Sequence, residues 1–394
     1  MFTSRTNWQL HPNPYTQALE EHRRSGGEIL DLTASNPTEC GFDYPQEEIL
    51  SALADPRSLA YHPESKGLAE ARRAVAGYYE GRAGFSPSAA PVDPDHVLLA
   101  SGTSEAYSHV FRLLCEPGDE ILVPAPSYPL FEFLADLADI RLVPYPLLYD
   151  HGWQIDLVSL RAALTPRSRA VMVVHPNNPT GSFVKPGEAA ELAGICAARD
   201  MAIVADEVFL DYTNAPHPAQ TFALHDAALT FTLSGLSKIS LLPQMKLAWT
   251  VVSGPHSLAK TAVERLEIIA DTYLSPGTPV QLALPKFLAL RHGLQSQVRR
   301  RISENLSVLD AALAESGVVT RLDFEGGWYT VLRVPVTRTD EALAIDLLQR
   351  CSVLVHPGHF FNFPRDGFLV ISLITLESEF QEGVRRLRDC LAAG

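Results

Sequence analysis

Short apolar runs alternate with longer segments of helical spacing through the first two thirds of the chain. The runs lie at residues 96–100, 120–124, 169–174, 202–206, 229–233 and 247–252. Their hydrophobicity is continuous rather than alternating, which is typical of strands covered on both faces. Segments between them, such as 186–200, have the length and spacing of helices that supply this cover. The pattern therefore predicts an α/β fold with a mainly parallel central sheet flanked by helices.

The pattern changes after about residue 258, which indicates a second folding unit. Two long helical segments come first, and apolar strands and further helices follow them. A chain of 394 residues exceeds what one compact core normally accommodates, so we expect two domains. We place a large domain at residues 46–275 and a smaller α+β domain at residues 1–45 and 276–394.

Charge and composition exclude several classes of function. The formal net charge is −14 at pH 7 and no basic stripe is present, so we expect no nucleic-acid partner. No apolar run reaches the ~20 residues that cross a bilayer, and the N-terminal stretch lacks an apolar signal core. We therefore expect a cytoplasmic protein without a membrane partner. The five cysteines lie far apart and show no metal-ligand spacing, from which we expect reduced thiols and no metal site.

Polar residues follow the predicted strands, at the edge where open α/β sheets form their sites. Gly102, Thr103 and Ser104 come directly after the run 96–100 and begin a helix. The backbone N–H groups and the dipole at such a helix start suit a phosphate, and the two hydroxyls add donors. The same residues are also common in ordinary turns and helix caps, so that alternative stays open.

Other ligands lack support at this helix start. A hydrolase nucleophile at Ser104 would need the motif G-x-S-x-G, and Ala106 stands where its last glycine belongs. No P-loop and no G-x-G-x-x-G motif follows a strand either. These absences argue against nucleoside triphosphates and dinucleotides.

Three further side chains stand at strand ends: Asn178, Asp206 and Lys238. A turn asparagine and a helix-capping aspartate are the ordinary alternatives for the first two. A buried lysine has a lowered pKa, so its amine can be neutral and nucleophilic. A buried aspartate is costly unless a cation faces it. Together with the phosphate site predicted at the start of the helix after Gly102, these residues indicate a pyridoxal phosphate site. In such a site the lysine forms a Schiff base and the aspartate keeps the pyridine nitrogen protonated.

Six motifs extend this interpretation to most of the chain. They are "YHPESKGLAEARRAVAGYY", "GTSEA", "PGDEILVPAPSYP", "HPNNPTG", "ADEVF" and "SGLSK". Their order and spacing, from about residue 30 to the C-terminus, resemble those of the class I and II aminotransferases, the aspartate-aminotransferase-like group of fold type I. The resemblance implies a fold type I enzyme that uses pyridoxal 5'-phosphate.

The resemblance also implies roles for the residues near the cofactor ring. Lys238 would hold the cofactor and carry the proton between substrate and cofactor. Asp206 would pair with the pyridinium nitrogen, and Asn178 would donate a hydrogen bond to the phenolic oxygen. Tyr128 would stack on the ring.

Further positions match the family at the phosphate, the substrate and the subunit interface. The phosphate residues would be Gly102, Thr103, Ser104 and Ser237. Ser35 and Asn36 would approach the substrate. Tyr61 matches the tyrosine that reaches the phosphate of the neighbouring subunit, which implies a homodimer with shared active sites.

Three positions depart from the family pattern. Lys246 stands where an arginine usually binds the phosphate, and it supplies charge without the bidentate fork. Phe209 stands where many members carry a tyrosine that donates to the phenolic oxygen. Val370 stands where an arginine usually grips the substrate α-carboxylate. Arg365, in the preceding loop, is our candidate for its replacement, and a solvated loop arginine is the alternative.

An aminotransferase that moves an amino group between an amino acid and a 2-oxo acid is the leading hypothesis. Because Val370 replaces the carboxylate arginine, a lyase, a decarboxylase or an amine transaminase on the same fold is the alternative. A ligand-sensing domain of a transcription regulator is a third hypothesis. The acidic chain and the short segment of about 30 residues before the family match argue against it.

Overall fold

The computed structural model describes residues 1–86, 90–214, 219–314 and 317–392. Its strands are Leu30–Asp31 (β1), Val97–Ala100 (β2), Glu120–Ala125 (β3), Arg141–Tyr149 (β4), Trp153–Ile155 (β5), Ser168–Val174 (β6), Ala202–Asp206 (β7), Thr230–Gly235 (β8), Ala248–Ser253 (β9), Thr320–Arg321 (β10), Tyr329–Arg333 (β11), Val353–Leu354 (β12), His356–Pro357 (β13) and Phe368–Ser372 (β14).

The helices alternate with the strands in the first part of the chain and are longer in the second. They are Pro14–Arg24 (α1), Gln46–Leu53 (α2), Ala69–Tyr79 (α3), Thr103–Leu114 (α4), Phe131–Leu137 (α5), Leu157–Ala163 (α6), Pro186–Ala198 (α7), Leu236–Ile239 (α8), His256–Tyr273 (α9), Thr278–Ala314 (α10), Asp340–Cys351 (α11) and Glu377–Ala392 (α12).

The central sheet has eight strands in the order β2-β9-β8-β7-β6-β3-β4-β5. Neighbouring strands from β8 to β4 pair in parallel. Strand β9 runs antiparallel to both of its neighbours, and β5 is antiparallel to β4. The predicted α/β fold is confirmed, and the sheet is mixed because these two strands reverse direction.

Both faces of the central sheet are buried, which explains the continuous apolar runs. On β6, Ala170, Met172 and Val174 pack with helices α4 and α9. Val171 and Val173 point to the opposite face and pack with α7. Successive side chains of a strand alternate between faces, so a strand covered on both sides needs apolar residues at every position.

A second core lies around a four-stranded sheet of order β10-β11-β14-β13. The strand β14 and the helices α10, α11 and α12 contribute its apolar side chains. The helix α10 has 37 residues and packs against both this core and α2 and α3. The division into domains at residues 46–275, and 1–45 with 276–394, stays a prediction.

One expectation about the cysteines was wrong. Cys351 and Cys390 form a disulfide across 39 residues of sequence. The two cysteines end up close because α11 packs against α12, which sequence spacing does not reveal. Cys40, Cys115 and Cys196 are free thiols. Among the described residues, no helix is long and apolar enough to cross a bilayer and no cluster of metal-ligating side chains occurs.

Candidate active site

The carboxyl ends of three adjacent parallel strands bring together the residues predicted from the sequence. Asp206 is the last residue of β7, and it lies opposite Val174 of β6 and Leu233 of β8. Strand β8 runs directly into the short helix α8, which carries Lys238. Asn178 follows the end of β6 by four residues. The site therefore forms at one edge of the sheet, as the fold class requires.

A cavity of about 340 Å³ opens at this edge. The residues of its wall are Ser35, Thr103, Tyr128, Pro129, Val174, Asn178, Asp206, Val208, Phe209, Gly235, Ser237, Lys238, Tyr329, His356, Phe360 and Phe361. Among the residues described, Lys238 is the one lysine or arginine in this wall and Asp206 the one carboxylate. Most of the remaining wall is apolar or aromatic.

Asp206 is buried and held by two donors. The backbone N–H of Val208 donates to Oδ1 over 3.0 Å, and the Tyr107 hydroxyl donates to Oδ2 over 2.7 Å. Burial raises the pKa of this carboxyl, while these hydrogen bonds and the charge of Lys238 oppose the rise. The carboxylate is thus fixed in position and lacks the solvation that an exposed anion has.

Lys238 is half-buried, and the burial of its amine lowers the pKa of that group to about 8 against the opposing charge of Asp206. Its Nζ lies 4.6 Å from the centroid of the Trp328 ring and 5.7 Å from that of Phe209. The Tyr212 hydroxyl donates to the Lys238 carbonyl oxygen over 2.6 Å, which anchors the backbone. A substantial neutral fraction near neutral pH makes this amine a usable nucleophile and base.

The start of α4 has the features of an anion site. The helix begins at Thr103. The Glu105 N–H donates to the Gly102 carbonyl over 3.1 Å, so the N–H groups of Thr103 and Ser104 are the first-turn donors that lack an acceptor within the helix. A Cβ added to Gly102 would lie 3.8 Å from the Lys246 Nζ, so this cation stands beside the helix start. Ser104 lies in the first turn, and the Ser237 side chain faces the same cavity. A phosphate bound here would be stabilised by the helix dipole, by the serine and threonine hydroxyls and by the charge of Lys246.

The other wall residues include two with a buried polar atom that has no hydrogen-bond partner, Asn178 and His356. The Asn178 Oδ1 atom is buried and has no hydrogen-bond partner. Tyr128 faces the cavity with 41% of its surface exposed. The Ser35 side chain also faces the cavity, as does that of Tyr329.

Six residues predicted for the site do not line the cavity. Gly102, Ser104 and Lys246 stand at the helix start described above, and the other three are Tyr61, Asn36 and Arg365. Tyr61 is 75% exposed on a loop. Asn36 is exposed, and its Oδ1 accepts a hydrogen bond from the Thr38 backbone over 3.2 Å. Arg365 is exposed, with its guanidinium carbon 5.9 Å from the Phe368 ring centroid. Arg365 therefore does not line the cavity, and its role as a carboxylate ligand stays a prediction.

Several residues that line the cavity or contact Asp206 and Lys238 were missed at the sequence level. Tyr107 stands one helical turn after Thr103, so the i, i+4 spacing on α4 was the available signal. Trp328 and Tyr329 come from β11 and the residue before it, and nothing local in the sequence connects them with Lys238. His356 lies on β13 directly opposite Val370 of β14. That pairing depends on the register of the two strands, which cannot be inferred from the sequence alone.

Comparisons with known proteins agree with this geometry. A sequence model of the family described as aminotransferase class I and II matches residues 27–387. The chain is 28% identical over 369 residues to the glutamate-pyruvate aminotransferase AlaA of Escherichia coli K12, covering 91% of this chain and 90% of that protein. It is 29% identical over 391 residues to an alanine aminotransferase of Mycobacterium bovis, covering 96% and 89%.

Solved structures give the same fold. An aminotransferase from Escherichia coli superposes with a TM-score of 0.86 at 27% identity, covering 100% of this chain and 98% of the other. An alanine aminotransferase from Pyrococcus furiosus superposes with a TM-score of 0.89 at 22% identity, over all of both chains. The second likeness shows the fold alone.

The chain belongs to the class I and II aminotransferases of fold type I. It is an enzyme that transfers amino groups with pyridoxal phosphate as cofactor, as the sequence predicted. The reported relatives are all named aminotransferases, and they do not favour the lyase, decarboxylase or amine-transaminase alternative.

The residues of the cavity fit this cofactor. The Asn178 amide lies in the wall with its Oδ1 atom unpartnered, and its Nδ2 group can donate to the phenolic oxygen of the cofactor. The helix start beside Lys246 suits the phosphate. The buried Lys238 amine and the buried Asp206 carboxylate lie in the same wall. Each part of the cofactor therefore has a matching group.

Phe209→Tyr tests whether this position faces the phenolic oxygen of the cofactor. A tyrosine hydroxyl there would donate a hydrogen bond to that oxygen and stabilise its negative charge. The cofactor bound to Lys238 would then lose its proton at a lower pH. We expect the pH titration of the bound cofactor's absorbance to move down by roughly half to one pH unit, the worth of one hydrogen bond.

Tyr145→Phe is the control, because its hydroxyl donates to the Met172 carbonyl and the residue does not line the cofactor cavity. An unmoved titration in Phe209→Tyr, or an equal shift in the control, would contradict the placement of Phe209.

Proposed function

We propose that Lys238, Asp206 and Asn178 are the residues that bind and activate the cofactor ring, with Lys238 holding the cofactor as a Schiff base. The observation that carries this proposal is their convergence in one buried cavity at the carboxyl edge of the sheet. When bound, pyridoxal phosphate supplies a carbonyl carbon that takes up amino groups and a ring that accepts electrons.

Lys238 is the proton carrier in this proposal. Once an incoming amino donor has displaced it, its Nζ is a free amine within the same wall. Burial lowers its pKa to about 8, so the amine can accept the proton from the substrate α-carbon and deliver it to the cofactor carbon on the other side of the transferred nitrogen. The aromatic faces of Trp328 and Phe209 restrict where the Nζ atom can move.

Asp206 acts by electrostatics. Its Oδ1 and Oδ2 are held by the Val208 backbone and the Tyr107 hydroxyl, so the carboxylate keeps one orientation. A protonated ring nitrogen facing this buried anion would be stabilised, because the cavity gives the anion no competing water. Tyr107 is thus a positioning residue for Asp206.

The remaining cofactor contacts follow from the same wall. We propose that Gly102, Thr103, Ser104, Ser237 and Lys246 hold the phosphate, with the helix start supplying N–H donors. We propose that Tyr128 stacks on the ring and that Ser35 lies over the substrate, while Asn36 contributes through its backbone.

We propose that His356 binds the substrate carboxylate in place of the missing arginine. Val370 is fully buried in β14, and His356 is its cross-strand partner on β13, so both side chains lie on the same face of the sheet. The His356 side chain reaches the cavity, and its Nδ1 atom is buried without a hydrogen-bond partner. An imidazole N–H can donate one hydrogen bond to a carboxylate.

We propose small α-amino acids and their 2-oxo acids as substrates, with alanine and pyruvate as one pair. The wall beyond Lys238 and Asp206 is formed by Val208, Tyr329, Phe360, Phe361 and Pro129. This apolar surface suits a short uncharged side chain. The relatives named glutamate-pyruvate and alanine aminotransferase support the same pair.

Lys238→Ala should lower the rate of amino transfer from alanine by at least about 10³-fold, because the nucleophile and the proton carrier are removed together. The half-reaction is followed by the cofactor's absorbance and by pyruvate formed in a single turnover. Lys246→Ala is the comparison, since it should weaken cofactor binding yet recover turnover when the cofactor is in excess. Turnover retained in Lys238→Ala would refute the assignment.

His356→Ala should raise KM for alanine about tenfold while kcat changes little, because one carboxylate hydrogen bond is lost in ground and transition state alike. Ethylamine, which is alanine without its carboxylate, should react equally slowly with both proteins. The exposed neighbour His359→Ala is the matched control. An unchanged KM for alanine would show that His356 does not bind the carboxylate.

We also propose a homodimer in which Tyr61 of the partner subunit completes the phosphate site. Tyr61 is 75% exposed and does not line the cavity of its own chain. Its side chain is therefore available to a partner subunit. Light scattering of the loaded enzyme should give about twice the chain mass of 43.1 kDa. A monomer mass with full activity would contradict the shared site.

We propose that the enzyme works in the cytoplasm. The absence of a membrane-spanning helix among the described residues agrees with this location. Cell fractionation with an activity assay tests it, and activity in the membrane or extracytoplasmic fraction would overturn it.

A further inference from the structure

A second cavity, of about 370 Å³, lies behind the active site. It opens between the segment after α3, the segment after β7 and the middle of α10. It shares no wall residue with the cofactor cavity. Three arginines contribute to its wall: Arg82, Arg291 and Arg299.

The carboxylate in this cleft is already fully engaged. Asp211 pairs with the Arg82 guanidinium over 2.5 Å. It also accepts hydrogen bonds from the Tyr78 hydroxyl over 3.0 Å and from the Gln295 amide over 2.6 Å. With three arginines against one aspartate, the cleft keeps a surplus of positive charge within a chain whose net charge is −14.

Arg291 carries a buried donor that the described residues do not satisfy. Its Nε atom is buried without a hydrogen-bond partner, and the nearest Asp211 oxygen is 4.0 Å away. Its Nη1 donates to the Leu288 carbonyl, and its guanidinium lies over the Tyr78 ring, so the side chain is held in place. A buried guanidinium donor without an acceptor is costly, which indicates that an acceptor belongs there.

The electrostatics of a neighbouring histidine agree with this surplus. The charge of Arg291 is the main cause that lowers the pKa of His292, and Arg299 and Arg82 act in the same direction. Asp211 opposes them without reversing the effect. The cleft therefore favours negative charge at its mouth.

We propose that this cleft is a binding site for a small dianion, of the phosphate or dicarboxylate class, held by Arg291 and Arg299 with Arg82 behind them. Guanidinium groups present paired donors that match the oxygens of either anion. Arg291 is held in place by its contacts with Leu288 and Tyr78, so it would bind the anion without rearrangement. Arg299 is exposed, so its side chain can adjust to the anion. The site is separate from the phosphate seat at α4.

The test is calorimetric titration of the cofactor-loaded enzyme, in which the bound cofactor already occupies the phosphate seat at α4. Inorganic phosphate is one titrant and succinate the other, each in a non-phosphate buffer with sodium chloride added to constant ionic strength. Arg299→Gln is the test variant, because this exposed side chain can be changed with little risk to folding. Arg300→Gln is the matched control, since Arg300 is the next residue of α10 and pairs with Glu304.

We expect saturable binding of at least one titrant to the wild type, weakened fivefold or more in Arg299→Gln and within twofold of wild type in Arg300→Gln. Arg291→Gln should weaken binding further, and thermal unfolding of that variant reports whether it is still folded. The anion whose Arg299-dependent binding is tighter identifies the ligand class. No saturable binding of either anion, or equal binding in the two variants, would overturn the proposal.

Discussion

Removing one ammonium and one carboxylate from water is the constraint on which the rest of this site depends. Charge in a buried cavity is tolerated only where neighbouring groups fix and compensate it. Asp206 has two donors of its own, and Lys238 lies against aromatic faces with its backbone tied to Tyr212. Both residues stand where strands of a rigid sheet end, so their separation is set by the fold rather than by flexible loops.

The sequence could predict Lys238, Asp206 and Asn178 because their placement follows from strand order alone. Each comes at or shortly after the end of a buried parallel strand, and such ends meet at one edge. The phosphate seat was readable for the same reason, since Gly102 precedes a helix. These are local signals whose meaning does not depend on how distant segments pack.

Other features could not be read because they depend on tertiary register. His356 reaches the cavity through the pairing of β13 with β14, and Cys351 meets Cys390 through the packing of α11 on α12. Arg365 looked equally able to approach the substrate, yet its loop turns it to the surface. Residues that are distant along the chain become neighbours through strand pairing and helix packing, which local sequence patterns do not reveal.

The pairing of His356 with Val370 bears on how enzymes of this architecture can diverge. The side chains of two adjacent strands, β13 and β14, lie next to each other on the same face of the sheet at this point. A binding group can therefore be placed there by either strand. Loss of the arginine from one strand need not empty this place, because the adjacent strand can take over without a change of backbone. If His356 has the role proposed for it, an alignment read one position at a time would show only a missing arginine at Val370, whereas a comparison of cross-strand pairs would show its replacement.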